Sequence, residues 1–302
     1  MTPVGPRTLR LGIIGLSEGN GHPYSWSAIC NGYDAKAMAD CPFPVIPRYL
    51  GQQSFPAAML PGAKVTHIWT QDQVVSAHIA RASLIPNVVT SLEAMLGEVD
   101  GILLARDDAE NHFRFAQVFV RAGIPIYIDK PLALNRRAAH QLLDMTCYPG
   151  QVFSCSALRY ASELRMTPAQ SARVGAPRLV DAVVPKDWQK YAVHVIEPVL
   201  FQFCGADAIE GIHRTCAGGV TQLLVSWRST LQTRFTSTGT ARAPIEISVH
   251  GSEGSVRMRF RRAFPAFKAA LAAFVSSVNE HRPAIPEQDM LRVVDLVETG
   301  CG

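Results

Sequence analysis

The sequence predicts an α/β chain: an N-terminal doubly wound parallel sheet, then an α+β domain whose sheet is mostly antiparallel. Three observations carry this. Between residues 11 and 133, short Val-, Ile- and Leu-rich runs alternate with stretches of helical spacing, the pattern of a parallel sheet covered on both faces. The first apolar run, residues 11–14, opens into a glycine-rich turn. From about residue 150 the alternation gives way to longer β-rich segments punctuated by hairpin signals such as Gly251-Ser252-Glu253-Gly254.

The totals exclude several classes. A chain of 302 residues that is 48% hydrophobic and 18% charged suits a globular protein of two domains. No apolar run reaches the roughly 18 residues of a membrane span, and the start, MTPVGPRTLR, lacks the apolar core of a secretory signal. A cytoplasmic protein without a membrane partner is expected. The net charge of +4 is mild, and the basic run at residues 257–262 alternates at strand period, so it reads as a solvated strand face rather than a nucleic-acid surface. Seven widely spaced cysteines with no C-x-x-C pair indicate neither a disulfide frame nor a metal site.

The first element is a strand at residues 11–14. Gly15, Ser17, Gly19, Asn20 and Gly21 then form a turn, and Pro23 opens a helix running to Asn31. Glycines in such a turn admit positive φ and close ligand approach, and the first N–H groups of the following helix favour an anion, so a pyrophosphate is the expected guest. The pattern departs from G-x-G-x-x-G, with Ser17 at the second glycine and a longer loop, and a tight turn without a ligand would read the same way. Gly15 to Gly19 also satisfies G-x-S-x-G, the hydrolase elbow with Ser17 as nucleophile. That elbow needs earlier strands beneath it, and only a short tail precedes residue 11.

Residues 31–63, with five prolines and interspersed aromatics, are expected to form an ordered but irregular insertion, functional or merely superficial. Strands are then predicted at 64–69, 87–89, 100–105 and 124–128, with helices at 73–82, 92–96 and 112–122. Domain one closes at 133. Domain two, 134–302, is expected to hold strands at 151–159, 178–184, 208–215, 219–228, 231–237, 245–250 and 255–259, with helices at 191–203 and 266–280.

In a doubly wound sheet the ligand lies beyond the carboxyl ends of the strands. Those tips carry Ser17 to His22, Thr70 to Asp72, Arg106 and Asp107 with Asn111 and His112, and Asp129-Lys130-Pro131. All four are polar, as any loop tends to be, but together they mark a dinucleotide rim.

Residues 100–105 with Asn111-His112, residues 123–133 with Asp129-Lys130-Pro131 in an E-K-P-like position, and residues 191–197 around His194 resemble the Gfo/Idh/MocA oxidoreductases, nearly end to end. The resemblance implies a Rossmann-like domain binding a nicotinamide dinucleotide, a sugar, nucleotide sugar or cyclitol substrate held between the domains, and a homo-oligomer. It places Lys130 beside the cofactor ribose and substrate oxygen, and makes His194 the acid/base. Among the strand-tip residues, Gly15, Ser17, Gly19, Asn20, Gly21, His22, Thr70, Asp72, Arg106, Asp107, Asn111, His112, Asp129, Lys130 and Pro131 become the cofactor-binding set. Arg159, Tyr160, Trp188 and Tyr191 become the substrate-binding set, although each also reads as a packing residue.

Two departures matter. Lys190 stands where the family carries an acidic partner of the histidine, so Lys190 becomes a candidate base or anion anchor, or a sign that turnover has been lost. Thr70 stands where an acidic residue would bind the adenosine ribose; NAD is favoured over NADP because no arginine adjoins Thr70. The alternative to a dehydrogenase is a dinucleotide-binding sensor or assembly protein.

Overall fold

The computed structural model describes residues 7–302; the first six residues of the stretch read for a leader lie outside them. The chain divides into two compact units. Among the described residues the first comprises 7–133, 137–154 and 267–290, and the second 134–136, 155–266 and 291–302. Among the described residues no helix is long and apolar enough to cross a membrane.

The first unit is built on a six-stranded parallel sheet of order β3-β2-β1-β4-β5-β6. Its strands are β1 (Leu9–Ile14), β2 (Ala63–Trp69), β3 (Asn87–Val88), β4 (Gly101–Leu104), β5 (Ile126–Ile128) and β6 (Val152–Ser154). Helices α1 (His22–Asn31), α4 (Gln73–Ala82), α5 (His112–Arg121) and α6 (Arg136–Leu143) make the crossovers. The central strands β1 and β4 are apolar and buried, as a sheet covered on both faces demands. This is the Rossmann order, so the cleft beyond the strand tips falls between β1 and β4.

Two expectations need correcting. The insertion is not irregular: it folds into α2 (Ala35–Ala39), started by the Asp34 carboxylate accepting from Ala37 N, and α3 (Val45–Leu50). Helices of five and six residues, the second holding Pro47, are too short for a periodicity reading. The segment 151–159 is not the first strand of the second domain either. Only Val152–Ser154 is strand, it pairs in parallel with β5, and Ala157–Tyr160 is a 3-10 turn started by Ser156. Helix α6 returns the chain to the first sheet, and with this sixth strand the first unit continues past 133 to residue 154.

The second unit carries a six-stranded sheet of order β12-β11-β7-β10-β9-β8. These strands are β7 (Pro177–Val184), β8 (Ile209–Ala217), β9 (Val220–Trp227), β10 (Gln232–Ser237), β11 (Glu246–Gly251) and β12 (Ser255–Arg259). Every pairing is antiparallel except β7 with β10. Helices α7 (Pro168–Val174), α8 (Trp188–Tyr191) and α9 (Val193–Val199) belong to this unit, and α10 (Ala263–Glu280) and α11 (Glu287–Cys301) run across the division. The prolyl bond Lys130–Pro131 is cis.

Candidate functional site

At the carboxyl rim of the parallel sheet, the tips of β1, β4 and β5 are drawn into one hydrogen-bonded cluster. Ser17 Oγ donates to Asp107 Oδ1 at 2.8 Å and accepts from Asp107 N at 3.1 Å. Lys130, 5% exposed, reaches the other oxygen of Asp107 at 3.3 Å. Next to it, the Asp129 carboxylate accepts from Lys130 N at 2.8 Å, from Asn20 Nδ2 at 2.8 Å, and pairs with His22 Nδ1 at 2.5 Å. Burial by itself would push Asp129 up, but the His22 and Lys130 charges and the bonds from His22 and Asn20 outweigh it and hold the carboxyl well below its usual range.

Ser17 is therefore occupied by a carboxylate and its amide, not by an imidazole, which removes the geometry of a serine hydrolase.

The glycines divide by purpose. A Cβ at Gly15 would stand 2.3 Å from Pro23, and one at Gly21 would meet Ile46 and Phe43 of the insertion at 2.5 and 2.6 Å. Packing thus requires both. Gly19 sits at φ +75° with nothing within 4 Å of the position a Cβ would take.

The start of α1 is not an open anion site. The His22 amide donates to Asn20 Oδ1 at 2.8 Å, Pro23 has no N–H, and the Tyr24 and Ser25 amides both donate to Gly21 O. The first amide is thus taken by the Asn20 side chain and the next two by the Gly21 carbonyl, so the helix start is satisfied from within.

The remaining rim residues are held by one another. Arg106 donates to both oxygens of Asp108 at 2.9 and 2.6 Å, to Leu16 O at 2.8 Å, and covers the Phe115 ring. Burial raises Asp108, but hydrogen bonds from Arg106 and Asn111 prevail and leave it lowered. Asn111 donates to Asp108, and His112, fully buried, has its ring nitrogens against the carbonyls of Leu132 and Arg106. Thr70 is buried with its hydroxyl on Asp72 O and Ser76, while the Asp72 carboxylate caps α4 by accepting from Val74 N and Val75 N. Arg106, Thr70, Asp72 and His112 therefore shape the rim.

A nicotinamide dinucleotide fits this rim at one end better than at the other. The turn at Gly19 has open space, and Lys130 supplies a buried cation beside polar groups of three strands. At the tip of β2, where an adenosine ribose would be held, the one carboxylate is committed to a helix cap. Residues 17–19 and Lys130 would hold such a molecule through its phosphates and nicotinamide ribose.

In the second unit, His194 Nδ1 lies 2.8 Å from Ser156 Oγ. Glu197 accepts from Ser156 N at 2.6 Å and pairs with Arg159 at 3.4 Å; both charged groups are buried. Arg159 also covers the Phe201 ring, so this pair is built into the unit, and Tyr160 follows it in the 3-10 turn. Lys186 donates to the Tyr191 hydroxyl and lies over its ring, and Tyr191 meets His194 edge to face. Lys190 is a half-buried residue of α8, whose first turn is capped by Asp187. Trp188 is buried, with its indole N–H donating to Val297 O of α11 at 2.9 Å, so it packs within this unit. Ser156 was not picked out from the sequence; its signal is a serine immediately before a helical turn.

A family model described as "Oxidoreductase family, NAD-binding Rossmann fold", that of Gfo/Idh/MocA, matches residues 48–155. The resemblance to the Gfo/Idh/MocA oxidoreductases holds. The matched stretch begins beyond the glycine-rich turn, the part of the Rossmann unit that departs most from the family pattern. No curated protein matches the chain by sequence. Among solved structures, the chain is similar to UDP-N-acetylglucosamine 3-dehydrogenase from Acidithiobacillus ferrooxidans, at 14% identity and TM-score 0.69, covering 97% of this chain and 96% of that one. It is similar also to a putative myo-inositol dehydrogenase from Sinorhizobium meliloti 1021, at 14% identity and TM-score 0.70 over 97% and 96%. GenD2 from gentamicin A biosynthesis, in complex with NAD, aligns at 15% identity and TM-score 0.72 over 98% and 93%. At these identities the likeness is one of fold.

Proposed function

We propose that the chain is an NAD(P)-linked oxidoreductase acting on a hydroxyl carbon of a sugar, nucleotide sugar or cyclitol. The observation that carries this reading is buried Lys130 at the tip of β5, paired with Asp107 and following Asp129, on a sheet of Rossmann order. The cofactor, when bound, takes or gives the hydride. Lys130 lies where a cation stabilises negative charge developing on the substrate oxygen, and its burial strengthens that interaction. The likeness to a nucleotide-sugar dehydrogenase and to a protein described as a putative inositol dehydrogenase supports the polyol class. NAD is preferred because no arginine adjoins Thr70. Self-association belongs to the same reading, supported by β8, exposed along all nine of its residues at the sheet edge.

Titration with NAD and NADP, followed by nicotinamide reduction over a panel of aldoses, cyclitols and nucleotide sugars, tests the proposal. Lys130→Ala is expected to lower turnover about 100-fold. Failure of the wild-type protein to bind either dinucleotide would sink the reading.

A second reading, a dinucleotide-binding sensor without turnover, is favoured by the internally satisfied start of α1. Cofactor binding with no reduction across the panel would select it.

A further inference from the structure

We propose that His22, oriented by Asp129, is the residue that exchanges the proton with the substrate hydroxyl, so that the parallel-sheet unit supplies both the cation and the acid/base. This rests on the oxidoreductase reading above.

Asp129 is 1% exposed and its carboxylate is an acceptor with three donors around it. One of those donors must be His22 Nδ1, since an ionised carboxylate has no proton to give. The neutral imidazole is then the Nδ1–H tautomer, and Nε2 carries the lone pair that a general base needs. Among the described residues Nε2 makes no hydrogen bond, and the side chain keeps 19% of its surface exposed, so the ring is clamped without being sealed. The clamp has two faces: Trp26 stacks on the ring at 4.9 Å and 15°, and Phe267 meets it edge-on at 5.0 Å and 68°. Asn20 holds the same segment twice, through the His22 amide and through Asp129.

Asp129 is one methylene shorter than the glutamate of the E-K-P pattern it resembles, and Lys130 follows it directly. Imidazole and ammonium are thereby fixed by neighbouring backbone positions, with Asp107 as the further charged group on the lysine. His194, by contrast, has its Nδ1 2.8 Å from the Ser156 hydroxyl, and Lys190 stands at the position of the acidic partner in the pattern it resembles. In the oxidative direction the hydroxyl proton passes to Nε2, the carbinol hydrogen leaves with its electron pair to the nicotinamide, and the C–O bond becomes C=O. The Nδ1 proton stays on the ring, donated to Asp129.

The test uses the full chain, His22→Asn, Asp129→Asn and His194→Ala. Asparagine at 22 keeps a donor towards Asp129 and removes Nε2. It is expected to lower kcat about 100-fold with the circular dichroism unchanged. Long-range 15N–1H NMR of the cofactor-free protein is expected to show neutral His22 as the Nδ1–H tautomer, a preference that Asp129→Asn abolishes. An Nε2–H tautomer in the wild type, or a His22→Asn variant that keeps its kcat while His194→Ala loses it, overturns the assignment and leaves the oxidoreductase reading standing. A wild-type protein that binds no dinucleotide overturns both.

Discussion

Gln71 and Leu16 close a two-bond ring across the tips of β2 and β1: the Leu16 amide donates to Gln71 Oε1 at 3.0 Å, and Gln71 Nε2 donates to the Leu16 carbonyl at 2.7 Å. Arg106 donates to both of these acceptors, so three strand tips are tied together at Leu16. Gln71→Ala should destabilise the first unit by about 1 kcal/mol, because the site is exposed and water replaces part of what is lost. It should also weaken dinucleotide binding by loosening the turn at 16–19. Calorimetric titration of wild type and variant checks both effects; unchanged affinity would separate the ring from the binding surface.

Phe274 of α10 packs at 5.8 Å from both Tyr127 and Phe153, and those two rings meet edge to face at 4.7 Å. Phe274 is 1% exposed, so its truncation leaves a void that the sheet cannot close. Phe274→Ala is expected to cost about 3–5 kcal/mol, measured by urea unfolding. A loss below about 1 kcal/mol would mean that α10 does not anchor to this sheet.

Trp188→Phe keeps the ring and removes one donor, that to Val297 O. The expected loss is about 1 kcal/mol of stability with no change in the KM for any substrate. A raised KM would return Trp188 to the substrate-binding set.

Asp129 sets an acid limit. Its folded value lies below the unfolded one, so its contribution to stability is fully present above the unfolded value of about 4 and is lost as pH falls from there through the folded value. Unfolding free energies measured across acid pH should therefore decline more steeply for the wild type than for Asp129→Asn. Parallel curves would show that the carboxylate is not held as its contacts require.

Much of this fold is legible in the sequence. The apolar strands β1, β4 and β5 and the helix at 73–82 announce themselves because burial on both faces leaves continuous Val, Ile and Leu, and because Asp72 stands at a cap. What escaped was set by contacts distant in sequence. Nothing local tells that residues 152–154 pair with β5, since a three-residue strand has no period to read. Nothing local tells that Asn20 will satisfy the α1 start, or that Gly21 is small because Phe43 lies on it. Lys130 and Asp129 were found from the strand tip and the motif. Their partnership with His22 and Asp107 needed the fold, because sequence spacing does not measure the distance between β1, β4 and β5.

The contact of Gly21 with Phe43 and Ile46 couples two segments that would otherwise vary separately. A transplant of a conventional three-glycine loop into this chain would leave an aromatic and an aliphatic side chain facing a gap, and a deletion of residues 34–61 would uncover the helix start. Redesign of coenzyme preference here must therefore recast both segments together, treating loop and lobe as one inherited part.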